Sequence, residues 1–224
     1  MITPTATLPM TTATDILTLT QWFSPSYPLG SFAYSHGLET AVQDGWLDSA
    51  AALEDWLRDV LAHGAGRCDA ILLRAGFACD GPEALGAVDA AALAYAASAE
   101  RVLETTAQGT AFARTTQDIW ADVVPAQSLP VAVGYAAARR GLPLDLTVTL
   151  YVQAFASALV SGAVRLVPLG QTEGQVVLQR LGGLCESITR RSQGATLDDL
   201  GGSCFGADIA AMRHETLEHR IFRT

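Results

Sequence analysis

The stretch that most restricts what this chain can fold into lies near its start, residues 22–46: WFSPSYPLGSFAYSHGLETAVQDGW. Between two tryptophans it holds four further aromatics, two prolines and three glycines, with few charges. Ser24-Pro25 and Tyr27-Pro28 impose extended or turn backbone, because the proline ring bars the preceding residue from the helical region. Gly30 permits a turn that a Cβ would hinder. A helix is expected from about Ser35, whose hydroxyl would cap the free amides around Leu38. Leu38 and Val42 share one face of it, and Gly45 is placed to end it. The residues alone leave two readings open, a buried interhelical turn and a surface-shaping element at a helix junction.

The rest of the chain reads as helices. Ile16, Leu17 and 19–23 form a short first helix ending at Pro25. Asp48 is placed to cap the next, where Leu53, Trp56, Leu57, Val60 and Leu61 follow the i, i+3, i+4, i+7, i+8 pattern; Gly64 and Gly66 close it. Residues 67–79 make another, stopped by Gly81, and Pro82 suits the first position of an alanine-rich helix. Ser98 caps a helix running towards Trp120, Pro125 breaks the pattern, and Pro130 opens a helix ended by Gly141. Residues 146–152 alternate and are β-branched, which taken alone predicts a strand. No partner strand is evident, and a lone strand has nothing to bond with. Leu150, Ala154 and Ala158 continue an apolar face behind Asp145, so this segment is assigned to a helix stopped by Pro168. Val177, Leu181, Leu184, Cys185 and Ile188 stripe a helix from about Thr172, and 201–203 start a last one. The expectation is an all-α, single globular domain of many short helices over 15–219, with a disordered tail at 1–14 and a C-terminal docking tail at 220–224.

Composition narrows the function. The chain is 50% hydrophobic and 17% charged, with a mean hydropathy of +0.25. No apolar run suggests a bilayer span, so the apolar excess points to a large core, protein partners, or both. The net charge of -9 argues against nucleic acid, whose phosphates need a basic face. No Arg occurs before Arg58, whereas Asp15, Glu39, Asp44, Asp48, Glu54 and Asp55 do, which favours a basic partner surface over a membrane. All 14 basic residues are arginines. A chain without lysine has no P-loop lysine for a nucleotide and no Schiff-base lysine. Cys68, Cys79, Cys185 and Cys204 lack C-x-x-C spacing and read as free thiols of a reducing cytosol. The N-terminus has no basic region followed by an apolar one, unlike a secretory signal.

Catalytic motifs are approached and missed. HETLEH at 214–219 resembles the zinc motif H-E-x-x-H but is one residue too long, so its histidines would point about 140° apart on a helix. It reads as a solvated polar face near the chain end. GGSCF at 201–205 misses the nucleophile elbow, because Phe205 stands where glycine is needed. Cys204 and His214 have the donor types nickel accepts, but no cluster accompanies them. A hydrolase built on His214 and Glu215, or a generic dimeric helical adaptor, are the competing readings.

The string SPSYPLGSFAYSHGLE resembles the signature of the urease accessory protein F family, through Ser24, Pro25, Pro28, Gly30, Ser31, Phe32, Ser35, Gly37, Leu38 and Glu39. SGAVRLVPLGQ at 161–171 is similar to a second family signature, carrying Arg165, Pro168 and Gln171. ADIAAMRHETLEHRIFRT is similar to a third, ending in Arg220, Phe222 and Arg223. The stretch from Glu100 to Gly109 and Pro130 with Gly134 also match. The resemblance implies an all-helical homodimer in the cytoplasm, a non-enzymatic chaperone with no cofactor of its own. Such proteins bind urease accessory protein D or H, recruit the urease GTPase UreG, dock on apo-urease and support GTP-dependent nickel insertion. It also implies partner binding at Pro28, Gly30, Phe32, Ser35, Gly37, Glu39, Arg165, Pro168, Gln171, Arg220, Phe222 and Arg223. Arg165, inside an apolar run, is expected to pair with Glu39 or with a neighbour lining the same interface.

Overall fold

The computed structural model describes residues 11–223, and among them only helices, turns and irregular segments occur. Helix α1 (Ala13–Trp22) begins inside the stretch expected to be a disordered tail. Its start is fixed by a reciprocal cap, in which the Thr12 hydroxyl accepts from the Asp15 amide and the Asp15 carboxylate accepts from the Thr12 amide. The remainder of that expected tail, 1–10, lies outside the described residues. The Pro-Gly hinge contains one 3-10 turn, Ser31–Ala33, and leads into α2 (Leu38–Gln43). That helix starts at Leu38 and not at Ser35, because His36 (φ 53°) and Gly37 (φ 79°) both take left-handed backbone that no helix continues. The Ser35 hydroxyl is buried and caps nothing.

Helices α3 (Ala50–His63) and α4 (Ala65–Phe77) meet at Gly64. Ser49, not Asp48, caps α3, accepting from the Ala52 amide. Pro82 opens α5 (Pro82–Ala94), and Ser98 caps α6 (Ala99–Trp120) through the Arg101 amide. Then come α7 (Leu129–Arg139), α8 (Leu144–Leu166), α9 (Gln171–Arg191) and α10 (Phe205–His214). The last helix starts later than 201–203. There the chain runs alongside the α3–α4 junction, with the Ser203 amide donating to the His63 carbonyl at 2.8 Å.

The β-branched segment 146–152 is helical, within α8. Thr147 and Thr149 turn their hydroxyls back onto the Pro143 and Asp145 carbonyls, so each is satisfied inside the helix. Contrary to the sequence reading, α8 is long and apolar enough to cross a membrane by length and composition. Its Val148, Val152, Ala156, Leu159 and Ala163 face is nevertheless core. Leu150, Ala154 and Ala158, the face expected to be apolar, are half-buried.

The core joins α1, α2, α3, α4, α6, α7, α8, α9 and α10. Trp22 is its largest sealed side chain and meets Phe112 and Trp120 edge-on at 5.1 and 6.1 Å. Helices α4 and α7 touch backbone to backbone. A Cβ on Gly134 would stand 2.0 Å from the Leu73 carbonyl oxygen, and one on Gly76 would stand 2.6 Å from that of Val131. Neither neighbour is a side chain that can swing away, so Gly134→Ala should force the helices apart. The expected loss is about 3 kcal/mol, read from the urea midpoint at unchanged slope.

Candidate interaction site

The hinge sets Glu39 in the first turn of α2, on its buried face beside Leu38 and Thr40. Gly37 lets α10 approach, because a Cβ there would lie 2.8 Å from the Ala211 amide nitrogen. Helix α10 turns Ala207, Ala210, Ala211 and His214 inward. His214 is 0% exposed. Its Nε2 lies 3.1 Å from Glu39 Oε2, and its Nδ1 lies 2.9 Å from Oε2 of Glu100, in the first turn of α6. The chain then passes Arg220, which donates to Glu100 Oε1 at 3.1 Å, and returns to Glu39. The Ile221 and Phe222 amides donate to the two Glu39 oxygens at 2.8 and 3.0 Å. One residue on, the Arg223 amide donates to the Ala33 carbonyl at 2.7 Å, as an added strand would. Burial pushes the Glu39 carboxyl up, but the two backbone amides and His214 outweigh it and hold it below the usual carboxylate range.

These contacts correct three expectations. HETLEH is not a helical face: α10 ends at His214, which is sealed, while His219 is exposed. The hydrolase pair does not form, because both His214 ring nitrogens face structural carboxylates and the Glu215 carboxylate accepts from the Ala99 amide. Nor does Arg165 pair with Glu39. Arg165 is exposed and needs no counter-charge. It donates to the Phe32 carbonyl at 3.0 Å and stacks 4.6 Å from the centre of the Phe222 ring.

Residues 220–223 are therefore docked on the chain's own body. Phe222 is 4% exposed and packs over Gly162, whereas Ile221 is 65% exposed and Phe32 74%. Of the twelve residues marked by the resemblance, Phe32, Gly37, Glu39, Arg165, Arg220, Phe222 and Arg223 converge here. Gly30 caps the 3-10 turn beneath them, and Ser35 is buried behind. Pro28, Pro168 and Gln171 are exposed, and no hydrogen bond of the segment reaches them. Sequence reasoning missed Glu100 and the role of His214. Both sit in stretches shared with the family, but no spacing tells that His214 meets Glu100 and Glu39, 114 and 175 residues away. Cys204 stands at the opposite end of α10 from His214, with burial pushing its thiol up.

A second buried network lies one turn along α6. Arg101 donates to Asp69 Oδ2 at 2.7 Å and lies 3.2 Å from Glu104 Oε2. The Tyr151 hydroxyl donates to the same Asp69 oxygen at 2.7 Å, Gln108 donates to Glu104 Oε1 at 3.1 Å, and His36 Nδ1 stands 3.6 Å from Glu104. Burial alone would raise the Glu104 carboxyl; Arg101 and His36 outweigh it and bring it to about 2. Arg101 and Glu104 line a cavity of about 330 Å³ between the hinge and α8, together with Phe32, Gly162 and Arg165. Among the described residues no three His, Cys, Asp or Glu side chains are placed to hold a metal ion.

Fold and site together define an all-helical protein whose C-terminal segment is bound to its own hinge. A model of the UreF family matches residues 47–182. The chain is 53% identical to a urease accessory protein UreF of Roseobacter denitrificans over 93% of each chain. It is 51% identical to that of Cereibacter sphaeroides, over 93% of this chain and 98% of the relative. With the protein of the same name from Rhodopseudomonas palustris the identity is 42%, over 99% and 96%. The chain belongs to the UreF family.

Glu104 gives the site a pH signature. Its carboxyl is lowered from an ordinary 4.5 to about 2 on folding, so its stabilisation is complete above pH 4.5 and lost as pH falls towards 2. Urea unfolding at stepped pH should show stability dropping through that window, and Glu104→Gln should flatten the drop.

Proposed function

We propose that this chain serves urease maturation as a non-catalytic scaffold. It binds urease accessory protein D or H and with it recruits the GTPase UreG. As a cytoplasmic homodimer it supports GTP-dependent passage of nickel into apo-urease, which is handled by the complex and not stored on this chain. The family supports the urease role. The observation that carries the scaffold reading is the rim formed by the hinge and the docked segment. Its backbone is fixed by Glu39, Ala33 and Arg165, and Phe32 and Ile221 stand out from it into solvent. A rigid rim with apolar anchors loses little entropy on docking, which is what a hot spot requires. A lysine-free chain has no P-loop lysine for GTP, consistent with hydrolysis belonging to a partner.

The test is co-purification of the D/H partner, then of UreG. Phe32→Ala and Ile221→Ala remove exposed atoms, so each should leave stability within about 0.5 kcal/mol of the parent. Together they should weaken the D/H complex at least about tenfold, roughly 1.4 kcal/mol. Undiminished binding by the double variant would refute the rim as the docking site.

A further inference from the structure

The cavity between the hinge and α8 follows from the side chains that line it. Helix α8 contributes Ala154, Ser157, Ala158 and Ser161, spaced along one helical face and all small. The hinge and α6 contribute rings instead, Phe23, Tyr34 and Phe112. Small side chains beside rigid rings leave a void of about 330 Å³, whereas packed interiors keep few voids larger than a water. The lining runs from Tyr34 and Gln108, 7% and 5% exposed, to exposed Phe32 and Arg165, so the void opens to solvent. Most polar groups in the lining are spent. The hydroxyls of Tyr27 and Tyr151 bond to Thr116 and Asp69. Arg101 and Glu104 answer each other, with Asp69 also on Arg101. Arg165 donates to the Phe32 carbonyl and lies over the Phe222 ring. The Tyr34 hydroxyl and the Gln108 carbonyl oxygen are left over. Among the described residues neither has a hydrogen-bond partner, although the Gln108 nitrogen donates to Glu104. Polar groups on side chains this buried ordinarily have one.

We propose that this cavity is a binding site for a neutral, two-ring aromatic group that carries one hydrogen-bonding atom, of the indole or naphthol class. The rings occupy the apolar void between the small face of α8 and the hinge. The N–H or O–H meets the Gln108 carbonyl or the Tyr34 hydroxyl. Volume sets the number of rings, because an apolar cavity of about 150 Å³ takes up benzene and this one is about twice that. The paired charges set neutrality, because a further charge would enter with no partner left to meet it. Apolar walls with a few placed polar groups, between helices, are the usual make-up of a ligand site. A free small molecule and the tryptophan side chain of a docked protein share this chemistry. The site itself does not rest on the rim reading above.

The test is titration of the full-length chain with indole, followed by calorimetry and ligand-observed NMR. The expected result is saturable uptake of one indole per chain with a Kd below about 1 mM. N-methylindole, which lacks the N–H, should bind at least about fivefold more weakly. That gap should close in Tyr34→Phe or in Gln108→Met, whichever side chain receives the N–H. N-methylquinolinium, two rings with a fixed charge, should bind at least about tenfold more weakly than indole. Ala158→Leu fills the void and should abolish uptake in a chain whose urea transition shows it folded; Ala154→Leu serves if the first variant does not fold. Absence of saturable binding means that water alone fills the cavity and overturns the proposal. So do equal affinities for indole and N-methylindole, a gap that survives both polar variants, a fixed charge that binds as well, and uptake that survives a filled cavity. Capture of the D/H partner by the folded, filled chain then separates the sources. Capture lost together with indole uptake assigns the site to a side chain of that partner, and capture kept assigns it to a free molecule.

Discussion

A carboxylate sealed from water must find its donors inside the protein, and Glu39 finds all of them far away in sequence. One comes from α10 and two from the backbone that follows it. The hinge exists, in physical terms, to set this carboxylate: left-handed backbone at His36 and Gly37 starts α2 where Glu39 faces inward, and the missing Cβ of Gly37 admits α10. Once Glu39 is placed, the remaining contacts follow as a chain. The segment lies along Ala33, Phe222 drops onto Gly162, and Arg165 closes over the ring. The three signature stretches are thus one tertiary unit.

Helix α6 is the spine beneath that unit. Glu100 and Glu104, one turn apart, would repel each other on an open helix. Each is instead given its own partners, Arg220 and His214 for the first, Arg101 and His36 for the second. The cavity between hinge and α8 is walled partly by the second network and partly by Gly162 and Arg165, which meet Phe222. Closely packed interiors transmit such local changes because they do not deform continuously.

Much of the fold was legible because its signals are local. Pro82 at a first position, Ser98 as a cap and Gly45 beyond α2 each act within one turn of themselves. Ser35 misled because a good capping residue was followed by two that cannot be helical. The β-branched run in α8 was resolved only by asking where a strand would have found partners. The site was legible in part: the resemblance marked Glu39, Arg165, Arg220 and Phe222, which do converge. Their pairings were not, because pairing follows burial and not charge sign. Arg165 sits on a solvent face and takes a carbonyl and an aromatic ring. His214, beside exposed Arg213 and Glu215, looked like another surface residue, and only the inward face of α10 gives it away.

Because the donors to Glu39 come from so far along the chain, they also come late in time. Translation delivers a domain from its N-terminal end at about 5–20 residues per second. The Glu39 carboxylate leaves the ribosome with α2 and waits through the synthesis of everything up to Phe222, 183 residues on, before its last backbone donor exists. A nascent chain halted short of that point carries helices and core but an unsatisfied acid at the base of its hinge. The rim is therefore ordered only once residue 222 has been made, after the helices and core beneath it.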